Sequence, residues 1–259
     1  MAQATHFMVA AANPHAARAG LEILEAGGGA VDATIAAQMV LGLVEPQSSG
    51  IGGGAFMLYF DAASRDITSF DGRETAPAAA TPSLFLDAAG AKLKFWDAVV
   101  GGRSVGAPGL LRMLELAHAK YGKLPWARLF EPAIRLAEAG FAVSPRLNEL
   151  IARDKNLKRY PAAAAYFHDA AGEPLPVGHI VKNPQYAAVL KSVAAGGADA
   201  FYTGAIARDI VNAVRGATDN PGLLSEADLA GYEAKIRPPV CAMYRGNRVC
   251  GMGPPSSGG

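Results

Sequence analysis

Cysteine is nearly missing from this chain, with only Cys241 and Cys250 among 259 residues. Two are too few for a disulfide framework or for a zinc site of the usual thiolate kind, and the five histidines are scattered rather than grouped as ligands. An excess of either charge is missing too. With 24 Lys+Arg against 23 Asp+Glu the net charge is +1, which leaves no electrostatic case for nucleic acid or an anionic membrane surface as partner. No run of about 18 or more apolar residues occurs, so no membrane-spanning helix is expected. The opening Met1-Ala2-Gln3-Ala4-Thr5-His6 has no charged n-region followed by an apolar core, and no leader is read in it. The compartment is therefore periplasmic or extracellular if a leader has been removed, and cytoplasmic otherwise. No internal repeat is present.

A composition of 51% hydrophobic and 18% charged residues suffices for a sizeable core, in one large domain or two smaller ones. Phe7 to Ala12 reads as a strand. Asn13-Pro14 then supplies an N-cap and a first-turn proline for a helix through Glu25, stopped by Gly27-Gly28-Gly29. Ala30 to Val44 is apolar on nearly every side, the pattern of a buried helix, and Pro46 ends it. Phe56 to Phe60 and Asp66 to Phe70 are rich in strand formers. Joined by the polar Asp61-Ala62-Ala63-Ser64-Arg65, they predict a hairpin that delivers Arg73 to a strand end.

From Pro108 to about residue 235 the texture is mostly helical. Leu110, Leu111, Leu114 and Ala117 recur at helical spacing as far as Gly122, and Ala127 to Ala139 repeats the pattern until Gly140. Ser144 to Lys158 reads as a further helix, with Arg146, Arg153, Lys155, Lys158 and Arg159 forming a solvated basic face on it or near its end. Pro161 to Pro184 reads as a loop-rich connector with a short strand or two. Pro184 to Ala194 and Ala205 to Arg215 read as helices, and Ser225 caps another at Ser225-Glu226-Ala227-Asp228. The chain then forms a hairpin, Pro239 to Tyr244 and Arg248 to Met252, around Arg245-Gly246-Asn247. A two-residue loop at Arg245-Gly246 sets Cys241 opposite Cys250, whereas a loop centred on Gly246-Asn247 takes them out of register. Two cysteines in so long a chain favour two buried or partly buried thiols.

Short motifs point to competing chemistries. Gly50-Ile51-Gly52-Gly53-Gly54-Ala55 satisfies the loose G-x-G-x-x-A pattern of dinucleotide sites, but a helix precedes it and a strand follows, the reverse of what that fingerprint needs. A compact turn allowing close chain approach fits better, with backbone amides able to bind an oxyanion or carboxylate as a minor alternative. Gly102-Arg103-Ser104-Val105-Gly106 matches the nucleophile elbow G-x-S-x-G and would make Ser104 the nucleophile of an α/β-hydrolase. Against that, Ala98-Val99-Val100 is a meagre central strand and the helix after it begins late. Asp71 and Glu74 flank Arg73, where neighbours of this kind orient or neutralise an arginine more often than they act as acid and base.

The most informative stretch is Phe70-Asp71-Gly72-Arg73-Glu74-Thr75-Ala76-Pro77, following the glycine-rich Ser48-Ser49-Gly50-Ile51-Gly52-Gly53-Gly54-Ala55-Phe56-Met57. In order along the chain lie also Glu25-Ala26-Gly27-Gly28-Gly29-Ala30-Val31-Asp32-Ala33, Gly106-Ala107-Pro108-Gly109, Lys120-Tyr121-Gly122, Phe201-Tyr202-Thr203-Gly204 and Pro254-Pro255-Ser256-Ser257-Gly258-Gly259. With these the sequence resembles the large subunit of the γ-glutamyltranspeptidases, the glutathione hydrolases. In that family the arginine of an RE-x-AP segment grips the α-carboxylate of the γ-glutamyl substrate, a task suited to the rigid fork of guanidinium donors. Here that arginine is Arg73, the one substrate-binding residue expected. Without the flanking motif it would read as a surface cation at a strand end. Gly72 stands where some family members carry a bulkier residue.

The resemblance implies an α+β fold of the N-terminal nucleophile hydrolase type, a four-layer αββα sandwich incomplete in this chain. Residues 1–259 then form a single incomplete domain, the N-terminal part of the large subunit. The nucleophile implied is a threonine exposed by self-cleavage at the start of a small subunit, beyond Gly259, so no catalytic residue is expected here and the fragment alone is expected to be inactive. That threonine's own α-amine can act as base, and a γ-glutamyl ester passes to water or to an amino acid. No metal and no organic cofactor are implied. The partners implied are the small subunit and the remainder of the large subunit from the same precursor, with a small γ-glutamyl substrate. The same scaffold also serves cephalosporin acylases, poly-γ-glutamate processing enzymes and small-amide hydrolases, which are the alternative activities. A non-catalytic scaffold fragment is the remaining one.

Overall fold

Asn13 and Pro14 start the first helix as the sequence predicts. In the computed structural model, which describes residues 3–257, the Asn13 side chain accepts from His15 N–H at the head of α1 (Pro14–Glu25). The first two residues of the N-terminal hexapeptide and the last two glycines of the PPSSGG run lie outside the described residues. After α1 come α2 (Ala30–Val44), β1 (Ala55–Phe60), β2 (Ile67–Gly72), α3 (Phe95–Val99) and α4 (Leu110–Tyr121). They are followed by α5 (Glu131–Ala139), β3 (Phe141–Ala142), α6 (Pro145–Arg153), α7 (Pro161–Phe167), β4 (Ile180–Val181) and α8 (Pro184–Gly196). The last elements are α9 (Asp199–Tyr202), α10 (Gly204–Arg215), α11 (Glu226–Ala230), β5 (Lys235–Arg237), β6 (Val240–Tyr244) and β7 (Asn247–Gly251). Residues up to Gly50 with Lys123–Ala195 make one compact unit, and Ile51–Gly122 with the residues from Gly196 on make another.

The first unit is built around α2. Ile35, Ala36 and Met39 of α2 are fully buried beside Ile23 of α1 and Leu129 and Phe130, and each large apolar side chain so buried contributes about 1.5–3 kcal/mol. Gly29, the N-cap, has no side chain to offer, and buried Asp32 takes over by accepting from Gly29 N–H at 2.8 Å and Lys123 N–H at 3.0 Å. A carboxylate there also complements the positive end of the helix. The Ala127 to Ala139 pattern divides into a 3₁₀ turn, Trp126–Phe130, and α5, with Pro132 in the first turn of α5.

Several expectations for this unit fail. Phe7 to Ala12 is no strand, because no described residue pairs with it and a ladder needs a partner. The helix expected over Ser144 to Lys158 stops at Arg153, where the Asp154 carboxylate accepts from Asn156 and Leu157 N–H and turns the backbone aside. The connector from Pro161 is not loop at its start but α7, with Pro161 at its first position.

The second unit carries a three-stranded antiparallel sheet in the order β1-β2-β5, β1 and β2 pairing Ala55 with Gly72 through Phe60 with Ile67. The hairpin was legible, whereas β5 was not. α4 covers one face, where buried Phe70 meets the edge of Tyr121 and Tyr121 stacks on Tyr59. A Cβ at Gly72 would come within 2.6 Å of Met113 Cβ on α4, so a bulkier residue at this position requires a different packing of that helix. On the other face Leu58 and Phe60 are exposed.

β6 and β7 form the expected terminal hairpin through a two-residue loop, Arg245 (φ 47°) and Gly246 (φ 79°). Two successive positive φ values are what the right-handed twist of a tight hairpin requires. That loop sets Cys241 opposite Cys250, and the two form a disulfide, not the two thiols expected.

Candidate active site cleft

Arg73 is the first residue after β2, and its surroundings fix its backbone while leaving its side chain half exposed. Asp71, buried at the end of the strand, does two things. Its Oδ1 accepts from Arg73 N–H at 2.9 Å and its Oδ2 accepts from Arg237 Nε of β5 at 2.7 Å. From the other side the Tyr232 hydroxyl donates to the Arg73 carbonyl at 2.7 Å. Burial, with the charges of Asp71 and Glu74 added, pushes the Tyr232 hydroxyl up to about 12, so it remains a donor at any physiological pH.

Glu74 holds the glycine-rich turn. Its Oε1 accepts from Gly54 N–H at 2.8 Å, and a Cβ on Gly54 would meet its Oε2 at 2.5 Å, so only glycine admits the carboxylate this close. An amide of that turn does bind a carboxylate, then, and it is the protein's own. Glu74 Oε2 takes no hydrogen bond. It lies 3.2 Å from Arg73 Nη1, which compensates its charge from outside hydrogen-bond geometry and leaves most of the guanidinium fork unengaged. Asp71 thus orients the arginine's backbone and Glu74 neutralises its charge, as their positions suggested, and neither is placed as an acid and base pair.

Arg73 and Glu74 line a cleft of about 450 Å³ together with Gly52, Thr75, Arg103 and Ser104. Thr75, which lines the cleft, exchanges both backbone hydrogen bonds with buried Ala107, at 3.3 and 2.9 Å. Ser104 is exposed but is not a nucleophile elbow. The segment before it is the helix α3 where a central strand was needed, its hydroxyl donates to the Val99 carbonyl at 2.8 Å, and no histidine lines the cleft. The dinucleotide pattern also fails, since Gly50–Ala55 joins the end of α2 to β1 and no helix N-terminus follows it. Arg103, Tyr232 and Asn220 are site residues that sequence reasoning did not single out. Arg103 lay inside a motif read for its serine, and nothing local marks the other two.

The sequence profile of the family described as Gamma-glutamyltranspeptidase matches residues 16–259. The chain is similar to the glutathione hydrolase proenzyme of Bacillus subtilis (strain 168), 40% identical over 253 residues that make up 97% of this chain and 42% of the relative. It is also similar to the acylase ACY 1 proenzyme of Pseudomonas sp. (strain SE83), 38% identical over 97% of this chain and 45% of the relative. Among solved structures, the γ-glutamyltranspeptidase of Helicobacter pylori superposes with a TM-score of 0.93 at 32% identity, covering 99% of this chain and 72% of that one. The α+β fold of the N-terminal nucleophile hydrolase type is thereby borne out for the part of it this chain contains. The chain spans about two fifths of the length of the curated relatives it matches.

Proposed function

Because this chain belongs to the γ-glutamyltranspeptidase family, we propose that it is the N-terminal part of the large subunit of a glutathione hydrolase, in which Arg73 holds the α-carboxylate of a γ-glutamyl donor. The observation that carries this reading is the state of Arg73. It is pinned through its backbone by Asp71 and Tyr232, its fork is mostly unengaged, and it faces a cleft large enough for a small peptide. The names of the relatives say glutathione hydrolase and proenzyme, which supports a precursor cut into subunits. The nucleophile is then a threonine at the head of the partner segment, with its own amine as base. Arg73 fixes one end of the donor so that the γ-amide is presented to that threonine, and the γ-glutamyl ester passes to water or an amino acid. Positioning of this kind is worth several kcal/mol of the barrier.

The test is Arg73→Lys in the complete enzyme. Lysine keeps the charge and loses the bidentate fork, so kcat/KM for γ-glutamyl-p-nitroanilide falls by about 2–4 kcal/mol, mostly through KM. Self-cleavage of the precursor, which involves no substrate carboxylate, stays near normal. Unchanged turnover in that variant rules out the assignment.

The comparable likeness to an acylase proenzyme supports a second reading, an acylase that uses Arg73 for the carboxylate of a glutaryl-type side chain. Relative rates on γ-glutamyl-p-nitroanilide and glutaryl amides separate the two, because only the γ-glutamyl donor carries an α-amine.

A further inference from the structure

Arg73 is not the only guanidinium in the cleft, and Arg103 differs from it in one respect that matters. Arg103 Nε donates to Asn220 Oδ1 at 2.6 Å and its Nη1 donates to the Leu84 carbonyl at 2.9 Å. Both acceptors are neutral. Among the described residues no carboxylate pairs with Arg103, whereas Arg73 has Glu74. The support beneath it is rigid. Asn220 is buried, donates from Nδ2 to the Asp97 and Val100 carbonyls at 2.9 and 2.7 Å, and accepts on its own carbonyl from Gly102 and Arg103 N–H. Nη2 is left with both of its N–H groups. A permanently charged, half-buried group fixed by two dipoles and paired with no anion is costly if its only duty is to clamp loops, because a neutral donor clamps as well without the desolvation.

The exchanged hydrogen bonds of Thr75 and Ala107 tie the segment that carries Arg73 to the segment that carries Arg103, and both arginines line the one cleft. Two cations in one cleft suit a ligand with two carboxylates, and a γ-glutamyl peptide with a free C-terminus carries one at each end. Resting on the reading of Arg73 given above, we infer that Arg103 is a second carboxylate-binding residue, taking the C-terminal carboxylate of a γ-glutamyl peptide while Arg73 takes the α-carboxylate. The cleft thereby favours peptide donors with a free C-terminus over γ-glutamyl amides that lack one.

The complete processed enzyme is assayed with glutathione, with its C-terminal carboxamide and with γ-glutamyl-p-nitroanilide. In the unsubstituted enzyme the carboxamide has a KM about tenfold or more above that of glutathione. Arg103→Gln, which keeps a donor for the clamp, raises the KM for glutathione about ten- to a hundredfold and abolishes the difference between acid and carboxamide. Equal KM values for acid and carboxamide in the unsubstituted enzyme overturn the proposal, and this comparison decides the matter even if the variant does not fold. So does a variant that raises all KM values by one factor, which is the mark of a purely structural clamp. Failure to turn over any of the three compounds removes the γ-glutamyl reading itself. Turnover without discrimination removes only the role of Arg103.

Discussion

A hydroxyl 159 residues away in sequence helps to hold Arg73 in place. Tyr232 donates to the Arg73 carbonyl and its ring stacks on Tyr202 at 6.0 Å between centroids. Tyr232→Phe keeps the ring and removes one hydrogen bond, so stability of the complete enzyme falls by about 1 kcal/mol in urea unfolding. KM for the γ-glutamyl donor rises severalfold because Arg73 is held less firmly, and an unaltered KM disposes of the positioning role. Legibility at this scale was uneven. Arg73 could be singled out as a candidate because the motif that marks it lies within four positions of it, and it does line the cleft. Asn220 and Tyr232 could not, because what makes them matter is a contact across 117 or 159 residues with nothing local to announce it.

The elements whose instructions are local were readable. Asn13-Pro14 capped α1, the all-round apolar face of α2 meant burial, and alternation with a polar loop gave the β1–β2 hairpin. Elements that depend on something distant were not. Phe7 to Ala12 has strand composition but meets no described partner, and β5 is a three-residue strand with no buried residue, defined only by its register with Ser69 to Asp71. α7 is a different case, since Pro161 and the alanines after it have good helix chemistry but no apolar period to reveal it. The terminal hairpin turned on its loop, and with Arg245-Gly246 at the turn the cysteines face each other nine residues apart. Replacing both, Cys241→Ser with Cys250→Ser, removes a short-loop crosslink worth about 2–3 kcal/mol in the chain-entropy account. The urea midpoint of the complete enzyme should fall accordingly, and reductant should lower the midpoint of the unsubstituted enzyme but not that of the variant.

Across the described residues the buried Tyr202 and Tyr232, with the partly buried Tyr186, set a limit on alkaline stability. Burial is the largest cause in each, raising Tyr186 and Tyr202 well above the ordinary tyrosine range and Tyr232 to about 12. A folded-state value above the unfolded one of about 10 means that the folded protein holds its protons longer. The stabilisation is therefore complete below pH about 10 and is lost as the pH rises beyond it, so the melting temperature should decline from there upward, more gradually in Tyr232→Phe. At the same scale, each unit taken by itself leaves an apolar surface uncovered. In one, Phe7 and Met8 are exposed beside a groove of about 430 Å³ that runs along Ala33, Ala37 and Leu41 of α2. In the other, Leu58 and Phe60 are exposed on the face of the sheet opposite α4. Surfaces of this kind mark interfaces, and the relatives' greater length points to the rest of the precursor as their cover. The buried area should then exceed roughly 2,000 Å², the scale of an obligate partner. Purified without any other fragment, residues 1–259 should aggregate or form a loosely packed state and show no γ-glutamyl hydrolysis above background. Co-expression with the remainder of the precursor should restore a compact, cooperatively unfolding and active protein. A compact monomer with turnover from residues 1–259 alone would refute both the threonine mechanism and the need for a second segment.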